Sequence, residues 1–360
     1  METSLFIEYV KKYFKAVSHG VIEKLNGTTK QLTYLHKTML RKEYSVSGKW
    51  ESLTVNGSMV SADYVAMDSS LPLKSRDSIG KASGDIPKIG MELSLNEREL
   101  TDLDTMVATQ EAESAIVAKL FRDTPRVIGG VLERNEASFL MGLSTGLTVV
   151  EDDKNTGTGI RLDFKYPTEN KFGVPVLFSN PASKPLTVIN ERILSKASAD
   201  GNGVFKIMID RATFANIAKS DEAKDLYASN VGNYSDTNRP TPNLTKLNTA
   251  VQDEYGYVFE IVDRSVVIEK NGNRSTYKPW AVGAIVAVSA EIVGTLTYAK
   301  LAEQNHPVEG VQYETVDDYI LVSKYRQNKP SLSEYTSSQA RVVPVIAETV
   351  YLMDSLTIQS

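Results

Sequence analysis

The sequence predicts an α+β fold, in which helices and strands occupy separate clusters along the chain. Apolar residues recur at helical spacing in two long neighbouring segments, 94–121 and 124–145. Short stretches with period-two alternation or continuous β-branched residues lie instead in 43–66, in 146–166 and beyond residue 256. Strand and helix do not alternate strictly, as they would in a parallel α/β sheet.

Composition describes an ordinary globular protein and excludes several kinds of site. The 360 residues include 24% charged and 41% hydrophobic side chains, and the net charge is −5. The chain has no cysteine, which excludes disulfides, thiolate metal sites and cysteine nucleophiles. Its three histidines are far apart in sequence, which disfavours a multi-histidine metal centre. We therefore predict neither a metal nor a cofactor.

The N-terminal region is basic, whereas the remainder is acidic. Residues 1–49 hold nine lysines and arginines against four acids, a net charge of +5 that leaves −10 for the rest. Such a segment can contact nucleic acid or an acidic neighbouring subunit, and a solvated helix face is the alternative. The first residues lack the apolar run of a signal peptide, and the most apolar window, 280–290, is about half a membrane span. We expect a cytosolic protein without membrane contact.

The first part of the chain is predicted to contain a helix, a hairpin and a long loop. Residues 5–18 alternate apolar and basic side chains at helical spacing. Residues 43–66 alternate with period two around Asn56-Gly57, a favoured hairpin turn. Neither helix nor buried strand is expected in 69–93, because glycine and proline interrupt it at Pro72, Gly80, Gly84, Pro87 and Gly90.

The loop at 69–93 is interpreted as an arm that packs on a neighbouring subunit. A loop of about 25 residues is unusual within a compact domain and generally indicates function or disorder. Low hydrophobicity would favour disorder, yet apolar side chains are spread through it at Leu71, Leu73, Ile79, Ile86, Ile89 and Met91. A lone subunit offers these side chains no obvious docking site.

Two helices are predicted after the loop. The first, 94–121, begins with Ser94 and Glu97 in capping-box register, and its single apolar stripe indicates that it lies on a surface. The second has Pro125 at its first helical position and ends at Gly146.

The rest of the chain is predicted as short strands with two further helices. A hairpin is expected over 146–166, and 203–209 reads as a buried strand followed by a helix that Asp210 caps. Thr241-Pro242 is predicted to start another helix. Short strands follow, with a turn at Asn271-Gly272, and the C-terminal strands are expected to return to the body.

The sequence does not favour an enzyme. Gly142-Leu-Ser144-Thr-Gly146 matches the G-x-S-x-G pattern of serine hydrolases, but that site needs a strand before the serine and a helix after it. Here a helix precedes and a strand follows, so a helix C-terminus is the better interpretation. An aromatic cluster has acidic rather than basic neighbours, which favours core packing over base stacking: Tyr255, Tyr257, Phe259, Tyr277 and Trp280.

Several local sequences, in their order and spacing, carry a resemblance to a known family. They are Leu71-Pro-Leu-Lys-Ser-Arg-Asp77, Gly84-Asp-Ile-Pro87, Val131-Leu-Glu-Arg-Asn-Glu136, Leu140-Met-Gly-Leu-Ser-Thr-Gly146, Arg161-Leu-Asp-Phe164, Lys278-Pro-Trp-Ala-Val-Gly-Ala-Ile-Val-Ala-Val288 and Gly294-Thr295. With the order of elements, they resemble a tailed-phage major capsid protein of the Hong Kong 97-type fold, and most closely the lambda-like capsid protein E family. The resemblance covers roughly residues 50–350.

The resemblance implies a division of the chain and a set of intersubunit contacts. The implied parts are an N-terminal arm at 1–49, an extended loop at 50–93, a peripheral domain with a spine helix at 94–184, completed by 341–360, and an axial domain at 185–340. In such a protein the extended loop lies over an adjacent subunit. We expect ion pairs from its charged residues and apolar contacts from the others, the six being Leu71, Lys74, Arg76, Asp77, Ile79 and Ile86.

The resemblance also implies a function in self-assembly. Pentamers and hexamers of the chain would form the icosahedral shell that encloses the double-stranded DNA of a tailed bacteriophage, in contact with that DNA irrespective of its sequence. Scaffold and portal proteins are implied partners, with a decoration protein as a further candidate. The location would be the virion capsid, assembled in the host bacterial cytoplasm. The alternatives are an encapsulin-like compartment shell and another phage structural protein, such as a tail tube subunit.

Overall fold

The structure is a computed structural model of the chain, and it describes residues 1–27, 34–55, 79–150, 160–231, 239–270, 272–329 and 331–359. Its helices are α1 Ile7–Gly27, α2 Leu35–Met39, α3 Glu97–Ala108, α4 Glu113–Leu120, α5 Thr124–Thr145, α6 Pro185–Ile189, α7 Ser195–Ala199, α8 Arg211–Lys219, α9 Asp221–Asn230, α10 Leu244–Tyr255 and α11 Ala302–Asn305. A π-helical turn, Asn190–Leu194, joins α6 to α7.

The strands are β1 Leu40–Tyr44, β2 Lys49–Val55, β3 Ile79–Asp85, β4 Lys88–Leu95, β5 Leu147–Val150, β6 Ile160–Asp163, β7 Lys171–Val174, β8 Lys206–Ile209, β9 Val258–Ile261, β10 Val266–Lys270, β11 Asn273–Tyr277, β12 Ala284–Val288, β13 Gly294–Ala299, β14 Gln312–Val316, β15 Ile320–Gln327, β16 Ser333–Ile346 and β17 Val350–Ile358. With helices and strands in separate clusters, the predicted α+β class is confirmed.

Two sheets organise two hydrophobic cores. In the first sheet the long strand β16 pairs with β15, β13 and β4, while β13 continues to β1 and β15 to β14. The helices α1 and α5 bury their apolar residues in the core of this sheet. The second sheet has the order β7-β17-β12-β8-β9, and its core takes in residues of the helices between α6 and α10.

Strand β12 lies between the two cores and is buried on both faces. Val286 and Val288 belong to the first core, whereas Ile285 and Ala287 belong to the second. A strand that is covered on both faces reads as a continuous apolar run rather than an alternating one. This burial accounts for the apolar window at 280–290. In the described part of the chain, no helix is long and apolar enough to cross a membrane.

Helix α5 runs through the first core, and both of its predicted ends are confirmed. Proline occupies its first turn, and Gly146 ends it in the left-handed conformation, with a φ of 78°. On its buried face, Glu136 accepts hydrogen bonds from the backbone N–H groups of Leu35, at 3.0 Å, and His36, at 3.1 Å. The same carboxylate contacts the His36 Nδ1 atom at 2.6 Å. These partners make the burial of a carboxylate tolerable.

The predicted start of the helix at Ser94 is wrong. Ser94 lies in β4, where it pairs with Tyr335 of β16. The capping box is formed two residues later, because Asn96 accepts the Glu99 N–H at 3.1 Å and the Glu99 carboxylate accepts the Asn96 N–H at 3.0 Å.

The predicted continuity of that helix over 94–121 is also wrong. Helix α3 ends in a Schellman motif, in which Gln110 adopts a φ of 55° and the Glu111 N–H donates to the Met106 carbonyl at 3.0 Å. Helix α4 then starts afresh at Glu113. The left-handed residue is a glutamine, so the break leaves no glycine signal in the sequence.

The absence of strands predicted for 69–93 is wrong over 79–93, where β3 and β4 lie. Strand β2 pairs antiparallel with β3, from Lys49 opposite Asp85 to Val55 opposite Ile79. Asn56-Gly57, the turn of the predicted hairpin, lies outside the described residues. The glycines and prolines are tolerated because β3 belongs to a small separate sheet and Pro87 lies between two strands.

The later elements follow the predictions with one shift. Strands β5 and β6 form the expected hairpin, and β8 is followed by a helix that Asp210 caps through the N–H groups of Ala212 and Thr213. Helix α10 starts after Asn243, which caps it, rather than at Thr241-Pro242. Asn243 determines where the helix starts, rather than the proline, because its side chain accepts a backbone N–H of the first turn.

The N-terminal helix is longer than predicted, and the predicted domain boundary at 340/341 falls within a strand. Helix α1 extends to Gly27 and, with Phe6 preceding it, buries Val10 and Phe14 in the first core. Residues 333–346 form the single strand β16, which continues across that position. The division into arm, extended loop, peripheral domain and axial domain remains a prediction.

Candidate functional site

The candidate site is the antiparallel pair β2 and β3, which we call the β2–β3 ribbon (Lys49–Val55 and Ile79–Asp85). The ribbon is a two-stranded sheet of its own, separate from both larger sheets. Two strands alone are only marginally stable in water, so a ribbon of this kind needs support from the body or from a partner. The described structure shows the support that comes from the body.

The first support is an indole that lies across a glycine. Trp50 is only 3% exposed and is the register partner of Gly84 on the opposite strand. A Cβ atom on Gly84 would lie 2.9 Å from Trp50 Nε1 and 3.4 Å from Trp50 Cε2, so only glycine fits beneath the ring. The Trp50 ring also packs on Phe164, with ring centroids 6.0 Å apart. The root of the ribbon is thereby buried in the first core.

The second support is the turn that precedes β2. Gly48 has a φ of 70°, and its carbonyl accepts the Ile86 N–H at 3.0 Å and the Arg341 Nη2 at 3.3 Å. Arg341 lies on β16 opposite Lys88 of β4. One arginine therefore ties the entry of β2, and through the same carbonyl the exit of β3, to the main sheet.

The structure describes only part of the predicted contact set. Leu71, Lys74, Arg76 and Asp77 lie outside the described residues, and Ile79 is the first residue of β3. Their contacts with a neighbouring subunit stay a prediction.

Ile86 corrects the expectation that a lone subunit offers these side chains no docking site. It is 3% exposed and belongs to the first core of the chain itself. The residues that position the ribbon, Trp50, Gly84 and Arg341, were not predicted. Trp50, one of the two tryptophans, lies on a segment of alternating apolar and polar residues, and this position could have indicated its role. Its glycine partner, however, is 34 residues away in sequence, and the arginine lies on another sheet.

Ser144 has a structural role at the end of α5. It is 2% exposed, donates to the Leu140 carbonyl at 2.8 Å and accepts the Ala281 N–H at 3.1 Å. The hydroxyl is therefore occupied by backbone groups on both sides, and a helix precedes it as predicted. This geometry is that of a helix terminus rather than an exposed nucleophile.

Among the described lysines and arginines whose pKa is shifted, Lys324 is the most deeply buried. Its side chain is completely buried, and burial lowers the pKa of its ammonium to about 8. The ammonium donates to the Leu120 carbonyl at 3.2 Å and to Thr336 Oγ1 at 3.1 Å, and it lies 5.5 Å from the centre of the Phe121 ring. Glu334 is also buried, and burial raises the pKa of its carboxyl group. An external substrate cannot reach this pair, so it belongs to the core.

A cleft of about 510 Å³ lies between β1 and the β14–β15 turn. Three of its lining residues are held by ion pairs, since Asp317 and Asp318 contact Lys42 at 2.8 Å and 2.6 Å, and His19 contacts Glu314 at 2.9 Å. Across the described ranges, no group of three or more histidine or acidic side chains is placed to hold a metal ion.

Comparisons with known proteins bear on the fold. No protein-family model matches the chain, and no curated protein matches it. A provisionally assigned prophage capsid protein of E. coli CFT073 superimposes with a TM-score of 0.56 at 11% identity, over 94% of this chain and 98% of that one. A phage-related protein of Bordetella bronchiseptica RB50 gives a TM-score of 0.53 at 12% identity, over 96% and 98%. The likeness spans almost the whole chain, and it shows that the chain shares the fold of these two phage-related proteins.

Proposed function

We propose that the chain is a major capsid protein that assembles as pentamers and hexamers into the icosahedral shell around the double-stranded DNA of a tailed bacteriophage. The observation that carries the proposal is the full-length likeness to the prophage capsid protein, with 94% and 98% of the two chains covered. A likeness of this extent includes both cores and leaves little of the chain for an added catalytic domain. The packing roles of Ser144 and the buried Lys324 fit a structural protein.

The β2–β3 ribbon supports the proposal on physical grounds. A closed shell requires each subunit to contact several neighbours, and a specific contact buries about 800 Å² on each partner. A ribbon offers contact surface at a distance from the core of its own subunit. Its far end leads into residues 56–78, which include four of the predicted contact residues, Leu71, Lys74, Arg76 and Asp77. In the proposal these residues contact the adjacent subunit together with Ile79. Ile86 is excluded because it is buried in the first core of its own subunit.

Contacts with other components form a further part of the proposal. Lys11 and Lys15 are exposed on α1, whereas Lys12 pairs with Glu113 of α4 at 2.8 Å. Lys11 and Lys15 suit either packaged DNA or an acidic neighbour, and DNA contact of this kind is electrostatic and independent of sequence. Scaffold, portal and decoration proteins would complete a virion that is assembled in the bacterial cytoplasm.

The experiment that tests the proposal replaces residues 56–78 by Asn-Gly, a two-residue turn. Val55 and Ile79 are register partners, so this turn closes the ribbon without disturbing its strands. We expect a folded subunit that no longer assembles, measured by sedimentation and negative-stain electron microscopy. Deletion of 79–92 would be uninformative because it removes the buried Ala82 and Ile86.

A matched control shortens a second hairpin in the same way. Val150 and Ile160 are the corresponding register partners of β5 and β6, and residues 151–159 are replaced by the same turn. This variant should assemble normally. Normal shells from the 56–78 variant would contradict the arm mechanism. Wild-type tubes would support a tail tube subunit, wild-type shells that package a protein cargo would support an encapsulin-like compartment, and small uniform particles would contradict every shell function.

A further inference from the structure

Two aromatic rings form a continuous line of contact from α5 to the β2–β3 ribbon. Phe164 is 1% exposed, and its N–H donates to the Gly146 carbonyl at 3.0 Å, which ties it to the end of α5. Its ring lies over Gly142 of the same helix, where a Cβ atom would be 2.6 Å from Phe164 Cε2. The line continues to Trp50, whose ring centroid lies 6.0 Å from that of Phe164. The Trp50 ring in turn lies against Gly84.

Both ends of this line are glycines in places where glycine is unfavourable. A glycine inside a helix or a strand loses more conformational freedom on folding than alanine does. Gly142 lies in the last turns of α5, and Gly84 lies within β3. Neither has a positive φ, so neither glycine is required by its own backbone conformation. At Gly84 the space for a Cβ atom is taken by the ring, and at Gly142 by the ring and by Thr148 Oγ1 at 2.9 Å.

The indole is held by packing contacts rather than by a hydrogen bond of its N–H. Trp50 Nε1 is buried and has no hydrogen-bond partner in the described structure. A buried indole N–H usually finds a partner, so this ring occupies its position at a cost. The position is the one that brings the ring against both Phe164 and Gly84.

We infer that the line Gly142–Phe164–Trp50–Gly84 fixes the direction in which the β2–β3 ribbon leaves the body, with Trp50 and Phe164 as positioning residues for the intersubunit contact. The line connects the helix at the centre of the first core to the ribbon through three close contacts without a flexible side chain. The inference rests on the proposed function, because the ribbon's direction matters only if the ribbon reaches a neighbour.

The test uses Gly84→Ala, with Gly129→Ala as its matched control. The new methyl group at residue 84 meets the indole at 2.9 Å, whereas a Cβ atom on Gly129 of α5 has no atom within 4 Å. Both variants should fold, as judged by far-ultraviolet circular dichroism and thermal unfolding. Light scattering and electron microscopy should show that only Gly84→Ala needs about a tenfold higher subunit concentration to form regular shells, equivalent to about 1.4 kcal/mol of contact free energy per subunit.

A compensating change separates positioning from simple destabilisation. Trp50→Phe keeps an aromatic ring against Phe164 but makes it smaller, which leaves volume for the new methyl group, so Gly84→Ala with Trp50→Phe should recover most of the shells that Gly84→Ala alone loses. Normal assembly of Gly84→Ala would overturn the inference, and so would a double variant that assembles no better than the single one. If Gly84→Ala fails to fold, Phe164→Leu takes its place, because it loosens the line without adding volume.

Failure of the proposed function would be visible separately. If the wild-type chain forms no shell, hydrogen exchange of the β2 and β3 amides still reports how the ribbon is attached. Faster exchange there in Gly84→Ala than in Gly129→Ala would support the positioning role, and equal exchange would overturn it.

Discussion

The buried Lys324 should make the subunit more stable as the pH rises from neutral to moderately alkaline. Burial lowers the pKa of this ammonium from the ordinary 10.5 to about 8 in the folded chain. Between these two values the unfolded chain binds a proton that the folded chain has released. The free energy of unfolding therefore increases with pH across this window, and the destabilisation by the buried charge is fully present below about pH 8.

The size of the effect follows from the same two values. The difference between 10.5 and about 8 corresponds to about 3 kcal/mol, at 1.36 kcal/mol per pKa unit. About 2 kcal/mol of this is recovered between about pH 7 and about pH 9.5. The ammonium is completely buried, so solvent screening does not reduce the figure. Buried tyrosines act in the opposite direction towards the upper end of this window, because burial raises their pKa above the ordinary 10; the effect of Lys324 is therefore measured against a variant that keeps them.

The assay compares urea unfolding of the wild-type chain with that of Lys324→Met at both pH values. Trp50 and Trp280, each 3% exposed, report unfolding by fluorescence at concentrations where sedimentation shows single subunits. The wild-type free energy of unfolding should rise by about 2 kcal/mol relative to the variant, because every other titrating group is common to both. An equal change in the two proteins would refute the reasoning, because it would show that the folded chain does not release the proton of Lys324 in this pH range.

Three further substitutions test local features of the fold by urea unfolding. Gln110→Gly should stabilise the chain by about 0.5–1 kcal/mol, because the left-handed conformation is unfavourable for glutamine; an unchanged midpoint would contradict this. Asp210→Ala should destabilise it by about 1–3 kcal/mol, because the carboxylate caps α8 and also accepts the Gly283 N–H at 3.0 Å. Glu136→Ala should cost about 3–5 kcal/mol, since it leaves two buried N–H groups and the His36 ring without their partner, and a cost near zero would show that water replaces the carboxylate.

The sequence predicted the elements whose boundaries depend on local chemistry. Pro125 and Gly146 bound α5 correctly, since a proline at the first turn and a left-handed glycine at the end act through their own backbones. Asp210 capped its helix as predicted for the same reason. The break at Gln110 could not be predicted, because glutamine favours helix and no glycine marks the left-handed position.

The pairing of distant strands was beyond local signals. β3 carries three residues with little strand preference, Gly80, Ser83 and Gly84, and it is a strand because β2 lies beside it. Ser94 has a good capping side chain, but pairing with Tyr335 of β16 extends β4 past it. In both cases a long-range hydrogen-bonded ladder determines the conformation of residues whose own preferences are weak.

The candidate site was predictable as a segment but not as a mechanism. The resemblance placed an extended loop at 50–93, and the ribbon lies there. The sequence could not show that Ile86 returns to its own core, or that Trp50 lies on Gly84, because both depend on the register of β2 against β3. A one-residue slip would turn Trp50 to the opposite face of the ribbon.

The packing of Trp50 therefore determines both the register of the ribbon and the burial of its root. Turning Trp50 outward would expose the largest side chain of the ribbon and leave Phe164 without its ring contact. The correct register buries the indole and places Gly84 beneath it, whereas β2 elsewhere carries residues such as Lys49 and Glu51 that suit an exposed face. The same contact thus selects the pairing of the ribbon and joins it to α5. A substitution that weakens the contact between Trp50 and Gly84 should loosen both the register of the ribbon and its direction. This explains the presence of a glycine where alanine would stabilise an isolated strand.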